Sequence, residues 1–464
     1  MLEKLNQKLT QKLINTCLFE LPRKISIPEK QAAAQCLIDS LACAFSAYKE
    51  PAIEILMGAY LENPPTTGSS IMGYSQFART DDAALINGSM VSLQLFDDNQ
   101  AQMRGHPSGP LLPGVLAVAE EVQANLDQAL TAFVIGYELE CRMGMLLNPA
   151  HYELGWHATA TQGTFAATIA CAHLLNLSVT QTQHALGIAA SMASGLRRNF
   201  GTMTMSFHSG LAASNGVKAA RLAKRGFTAD TQIFDGPMNV GHVFSKEWSD
   251  DALWSDLDQW GEPFVIIRPG QTFKLYPCGR PPLFAIDCVV ELQKKHQLKL
   301  DDIKKITCDV SYMYPRTLIH SRPTNGLQGK TSLEYCIAAA LLDQRPSLGS
   351  FSDEAVNRPE ISKLIDLIQV RVPPHLGENV EAVRKAPFEQ PVTLTIETKN
   401  AEVLVETTTF HKGSPENPAQ QSDLDQKFND CLSPWVSQAR ISHILALCKN
   451  TSTPIKELMR SLCI

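Results

Sequence analysis

Between about residues 28 and 260 almost every periodic segment has helical spacing, and several of these segments carry mostly small residues on one side. Pro28 suits a first helical position, and Ala33, Leu37, Leu41, Ala44 and Phe45 recur behind it at helical intervals. Asp81 to Leu95, Leu111 to Val122 and Gln128 to Met145 predict three more helices. In Thr161 to Leu175, Gly163, Ala166, Ala167 and Ala170 lie close to one face. Such a face brings helix axes close together and gives little support to a surface helix. Ser178 followed by Gln181 is a capping box that opens a helix through Ala189 to about Ser194. His208 to Lys224 is again rich in Ala and Gly and stops at Gly226, a C′ glycine. The expected result is a bundle of tightly packed, Ala-rich helices.

After about residue 262 the texture changes. Phe264 to Ile267 reads as a strand, Pro282 to Gln297 as a helix, and Ile303 to Tyr312 alternates like a strand. Thr331 to Leu342 and most of Ser352 to Leu367 read as helix, and Val370 begins a strand. Val392 to Glu397 and Val403 to Thr408 form a hairpin around Lys399-Asn400. Lys412 to Gln421 is a loop, and the helical segment beyond it is expected to pack back on the first domain. The predicted class is therefore mainly α. It has a large helical domain over 1–265, completed by 410–464, and a smaller α+β domain over 266–409.

The bulk properties exclude several functions. With 44% apolar and 19% charged residues, the 464-residue chain is not a disordered one. A net charge of −6 and the lack of a basic run argue against nucleic acid. Twelve scattered cysteines without a C-x-x-C pair predict neither a disulfide framework nor a zinc cluster, and so a reducing, cytoplasmic setting. Met1 to Asn6 has no apolar signal region, and no apolar stretch reaches membrane-spanning length. H-E-x-x-H, G-x-S-x-G and the dinucleotide fingerprint are absent. Gly326 to Thr331 only approaches a P-loop, with Thr324 where that motif needs Gly.

The chemistry concentrates in turn-rich stretches. Asp97 and Asp98 are followed eight residues after the second acid by His106-Pro107-Ser108-Gly109 at the mouth of a helix, where free N–H groups favour anions. The acids and His106 suit proton chemistry, a carboxylate fixing the imidazole tautomer; helix capping is the competing role for Asp97 and Asp98. A metal shell is not expected, because no further ligand lies at helical spacing. His157 stands at a helix entry after Gly155-Trp156, and His208 opens the Ala/Gly-rich helix. Lys274, two residues before Tyr276 and beside Pro277, is placed at the domain junction to hold a carboxylate or act as a base. Of Arg197 and Arg198, one can pair with a carboxylate while the other reads as exposed.

Taken together, Asp97-Asp98…His106-Pro107-Ser108, Gly155-Trp156-His157-Ala158-Thr159, Asn199-Phe200-Gly201-Thr202-Met203-Thr204, His208-Ser209-Gly210, Lys274-Leu275-Tyr276-Pro277 and Lys330-Thr331-Ser332-Leu333-Glu334-Tyr335 resemble the MmgE/PrpD family. The match runs in order from about residue 30 to 410. The family includes 2-methylcitrate dehydratase, cis-aconitate decarboxylase and iminodisuccinate epimerase. The resemblance implies an all-helical domain, a lid domain like chorismate mutase, a site between them, a homodimer, and no metal or organic cofactor. It places His106, His157 and Lys274 on active-site positions; with them, Tyr276 and Asp98 are expected to be catalytic and Asp97, Arg198, His208 and Lys330 to bind a small polycarboxylate. Two positions depart from the decarboxylase pattern: Leu95 replaces an Asp, and Met205 replaces a Lys three residues before His208. Met carries neither charge nor proton, which disfavours decarboxylation. The expectation is epimerisation of a dicarboxylate such as iminodisuccinate; a methylcitrate-like dehydratase and a non-catalytic polycarboxylate-binding protein are the alternatives.

Overall fold

The computed structural model describes residues 8–464, so the reading of Met1 to Asn6 lies outside the described residues. The chain is mainly helical. The longer helices of the first part are α1 (Ile27–Ser46), α2 (Thr80–Leu93), α3 (Ser108–Glu121), α4 (Leu126–Leu147), α5 (Ala158–Leu174), α6 (Val179–Met192) and α7 (Met203–Lys224). Their ends follow the sequence signals. Pro28 lies in the first turn of α1, Ser178 and Gln181 close a capping box on α6, and Gly226 follows α7 at φ 90°. The small faces meet as expected: a Cβ at Gly216 of α7 would come within 2.3 Å of the Ala167 Cβ of α5.

The later part is an α+β layer. Helices α8 (Arg280–His296), α9 (Leu333–Asp343) and α10 (Pro359–Leu367) accompany a four-stranded sheet of β1 (Ile303–Asp309), β2 (Ile368–Arg371), β3 (Val392–Thr398) and β4 (Val403–Thr408). The order is β2-β1-β3-β4, with β1 parallel to β2 and the other pairs antiparallel. Ile306 faces Ile368 on one side and Ile396 on the other. The chain ends in helices that include α11 (Gln421–Leu432) and α12 (Gln438–Lys449). One apolar core joins α1–α7 with Phe428, Ile441 and Leu458; a second joins α8, α9 and the sheet. Among the described residues no helix is long and apolar enough to cross a membrane.

Two local expectations are corrected. Phe264 to Ile267 is a turn, buried as far as Ile266, and not a strand: it lies between Pro263 and Pro269, and its Val265 N–H donates to the buried Glu138 carboxylate at 2.7 Å. His208 does not open α7 but sits in its second turn, because the helix starts at Met203 after Thr202.

Candidate active site

The loop from Gln94 to Pro107 is held from behind by two buried lysines. Leu95 adopts a left-handed conformation (φ 51°), which turns the chain so that its carbonyl accepts from Lys274 Nζ at 2.7 Å. The next carbonyl, of Phe96, accepts from Lys427 Nζ at 2.6 Å, and Lys427 also pairs with Asp39 of α1 at 2.6 Å. An ammonium removed from water needs such partners. The two acids then diverge. Asp97 accepts from the Ser92 hydroxyl and lies 3.3 Å from His106 Nδ1 and 3.5 Å from Lys274 Nζ. Burial pushes its carboxyl up, but His106, Lys274 and Ser92 outweigh burial and hold it well below the usual range. Asp98 turns the other way and takes the N–H and hydroxyl of Ser108 at the start of α3. With burial dominant there, its carboxyl is pushed up to about 7.

His106 is set as a base. Its backbone N–H donates to Thr159 Oγ1, and its Nδ1 lies 2.9 Å from the Asp98 carbonyl. A carbonyl only accepts, so in the neutral ring Nδ1 carries the proton and Nε2 keeps its lone pair. Asp97, beside the same ring, stabilises the charge that forms when Nε2 takes a proton. His157 precedes α5 and is anchored by its N–H on the Gly195 carbonyl. Its Nδ1 lies 3.1 Å from His208 Nδ1, so one ring donates and the other accepts. Burial, reinforced by the neighbouring His208, holds His157 well below its ordinary value and keeps it neutral. Gly195, whose carbonyl holds the His157 N–H, is at φ 135°, and a Cβ there would lie 2.6 Å from the Ala160 Cβ of α5.

These groups line one cavity of about 800 Å³ counting its mouth, within the range of small-molecule sites. Asp97, His106 and His157 lie on its wall, and so do Arg104 and Arg280, which sequence reasoning missed. Both arginines are 8% exposed. Arg104 donates through Nη2 to the Arg384 and Lys385 carbonyls, and Arg280 through Nη1 to that of Phe388. Arg104 Nη1 and Arg280 Nε are left buried without a partner. Unpaired guanidinium N–H groups in a cavity are what a carboxylate satisfies. One signal was available: Arg280 stands just before Pro281-Pro282 at the start of α8, where a cation opposes the helix dipole. Arg104 had none, since its left-handed backbone (φ 56°) is visible only in the structure.

The remaining expected residues lie further out. Lys274 and Asp98 are fully buried behind Asp97, and His208 backs His157. Lys330 is buried with its Nζ 4.9 Å from the Phe351 ring centre, and burial lowers it to about 8; the adjacent Thr331 reaches the cavity. Tyr276 lines a separate groove with Asp287 and Lys412. Arg198 is exposed, whereas Arg197 lies 3.6 Å from the Tyr152 ring centre and donates to Thr317, both on the cavity wall. Leu95 and Met205, the two departures noted in the sequence, both face the cavity.

Family models for the MmgE/PrpD N-terminal domain and the MmgE/PrpD C-terminal domain match residues 22–251 and 276–451. Among similar proteins is cis-aconitate decarboxylase of Homo sapiens, 27% identical over 79% of this chain and 76% of its own. The enzyme of that name from Aspergillus terreus is 25% identical over 75% and 74%. The 2-methylcitrate dehydratase of Escherichia coli is 24% identical over 84% and 82%.

Proposed function

The chain belongs to the MmgE/PrpD family and is an enzyme, and we propose that it is a lyase of small polycarboxylates that eliminates water. The observation that carries this reading is a free His106 Nε2 in the same cavity as two buried arginines with unpaired N–H groups. Arg104 and Arg280 hold carboxylates and stabilise the charge that builds on one of them as the adjacent carbon loses its proton. His106 Nε2 takes that proton. The C–H electrons become the new C=C bond as the neighbouring C–O bond breaks, and His106 returns the proton to the departing hydroxyl, giving water. His157, kept neutral, hydrogen-bonds to the reacting groups, and Lys274 positions Asp97.

The relatives favour a lyase over the epimerisation expected from the sequence. Decarboxylation is the second reading, favoured by the similarity to the human decarboxylase; it needs His106 to deliver a proton to carbon after CO₂ leaves. Met205, on the cavity wall in place of a cation, weighs for dehydration. The test is mass spectrometry and proton NMR of the protein with 2-methylcitrate, cis-aconitate and iminodisuccinate in D₂O. Loss of water from 2-methylcitrate, with its methyl doublet replaced by a downfield singlet on the new C=C bond, is the expected result; a vinyl proton would mark elimination toward the unsubstituted methylene instead. Loss of CO₂ from cis-aconitate selects the second reading, and exchange without loss selects an epimerase. H106Q is expected to lower kcat by about 10²-fold or more, and R280Q both to raise KM and to lower kcat, since it loses a carboxylate contact that strengthens as charge builds. Unchanged rates in both variants would sink the assignment.

A further inference from the structure

We infer that Arg197 is a positioning residue for the reaction: its guanidinium clamps residues 317–320 of the α+β layer to the stretch of chain that seats His157. The inference rests on the reading of this cavity as the reacting site and adds a residue that the reading leaves out.

Residues 155–157 and 195–197 form a short antiparallel pair. The His157 N–H donates to the Gly195 carbonyl at 3.0 Å, and the Arg197 N–H donates to the Gly155 carbonyl at 2.9 Å. The same backbone pair thus seats the imidazole and the guanidinium. From there the Arg197 side chain reaches two elements. Nη1 donates to the Tyr152 carbonyl at 2.7 Å, and Nη2 donates to Thr317 Oγ1 at 2.9 Å. Tyr152 belongs to the short helix Ala150–Glu153 just before His157, whereas Thr317 ends the helix Met313–Thr317 of the α+β layer. Both line the cavity, but Arg197 itself does not. It acts through them.

The guanidinium also lies over the Tyr152 ring, 3.6 Å from its centre, and that ring packs in the second apolar core. These contacts set the plane of the guanidinium even though they leave Nε buried without a partner. A flat group with two separated donors joins two acceptors in this way, and a point-like ammonium does not. A second tie lies beside the first. His320 Nε2 is 3.0 Å from the Phe200 carbonyl, which only accepts, so the ring donates. Gly201, at φ 82°, permits the approach: a Cβ there would come within 2.5 Å of that nitrogen. Phe200 in turn stands nearly perpendicular to the His157 ring, with centres 5.0 Å apart. The wall that carries Thr317 and Leu318 is therefore indexed to the wall that carries His157.

A misplacement of about 1 Å between such walls costs on the order of 10²-fold in rate. The test assays R197M and R197K with whichever acid of the panel above the wild type converts. Both are expected to lose about 10²-fold in kcat, with KM changed by less than about threefold. T317V removes the far end of the clamp with little change of shape and is expected to lose about 10-fold. Added to R197M, it should cause no further loss. Wild-type kcat in R197K, a loss confined to KM, or losses that multiply in the double variant would each overturn the clamp. Hydrogen exchange followed by mass spectrometry reads the same contact without turnover. R197M, or T317V should R197M not fold, is expected to exchange faster than wild type in peptides covering 313–320 and 150–157. Unchanged exchange in both peptides overturns the clamp. If the wild type converts none of the acids, the lyase reading falls and the exchange result alone decides the clamp.

Discussion

Asp97 and Asp98 are neighbours whose carboxyls are shifted in opposite directions, and the difference comes from what each side chain meets. Asp97 faces an imidazole and an ammonium; Asp98 is buried with the Ser108 hydroxyl and the Cys36 thiol and has no cation beside it. A carboxyl raised to about 7 in the fold, against roughly 3.9 in the unfolded chain, binds a proton in the native state over the interval between these values. The native state is then the more protonated one, so stability falls as pH rises from about 4 to 7 and stays lower above that. Asn reproduces the protonated acid, accepting from the Ser108 N–H and donating to its hydroxyl. Asp98→Asn is therefore expected to be more stable than the parent at pH 8 by roughly 2–4 kcal/mol, with the advantage vanishing near pH 4. Urea midpoints across that range check it, and a pH-independent difference would contradict the burial argument. Adjacent acids before a histidine were legible as a site in the sequence. Which acid faces the imidazole was not, because it depends on the left-handed turn at Leu95.

At the scale of elements, the site depends on how closely α2 and α7 pack. A Cβ at Gly210 would lie 2.1 Å from the Leu85 carbonyl oxygen and 2.3 Å from Ser89 Oγ, so the helices must separate to admit it. Gly210→Ala gains about 1 kcal/mol of helix propensity but incurs an overpacking cost of about 1–3 kcal/mol or more. The expected balance is a lowered melting temperature and lost activity, since Met205 and His208 ride on the displaced helix. Gly58, in the helix Pro51–Tyr60, has open space where a Cβ would sit, with no atom within 4 Å, so Gly58→Ala is expected to stabilise by up to about 1 kcal/mol with activity intact. A calorimetric scan of both variants reads the opposite signs. Helical period and small residues made the bundle visible in the sequence, as the Ser178 capping box and the Lys399-Asn400 hairpin show. The segment at Phe264 misled because composition does not reveal that a distant Glu138 supplies its hydrogen bonds.

Across the whole molecule, the site is held by residues far apart in the chain: Asp39, Asp97, Lys274 and Lys427 meet beneath one loop. Lys427 was overlooked because it belongs to the terminal helical segment. Its signal was a lysine among the buried Leu424, Phe428 and Cys431 of α11, on a face that should hold only apolar residues. Its ammonium has two separable tasks, neutralising Asp39 and donating to the Phe96 carbonyl that carries Asp97. Lys427→Met leaves Asp39 buried without its counter-charge and should cost about 3–5 kcal/mol. Adding Asp39→Asn removes that charge and should return much of the stability, because a buried pair contributes little over neutral groups of similar shape. It cannot restore the donor to Phe96. The double variant is thus expected to melt near wild type yet stay well below it in kcat, with KM less affected. Recovery of both stability and kcat would reduce Lys427 to a counter-ion, and recovery of neither would mean that the terminal helix docks through this ammonium itself.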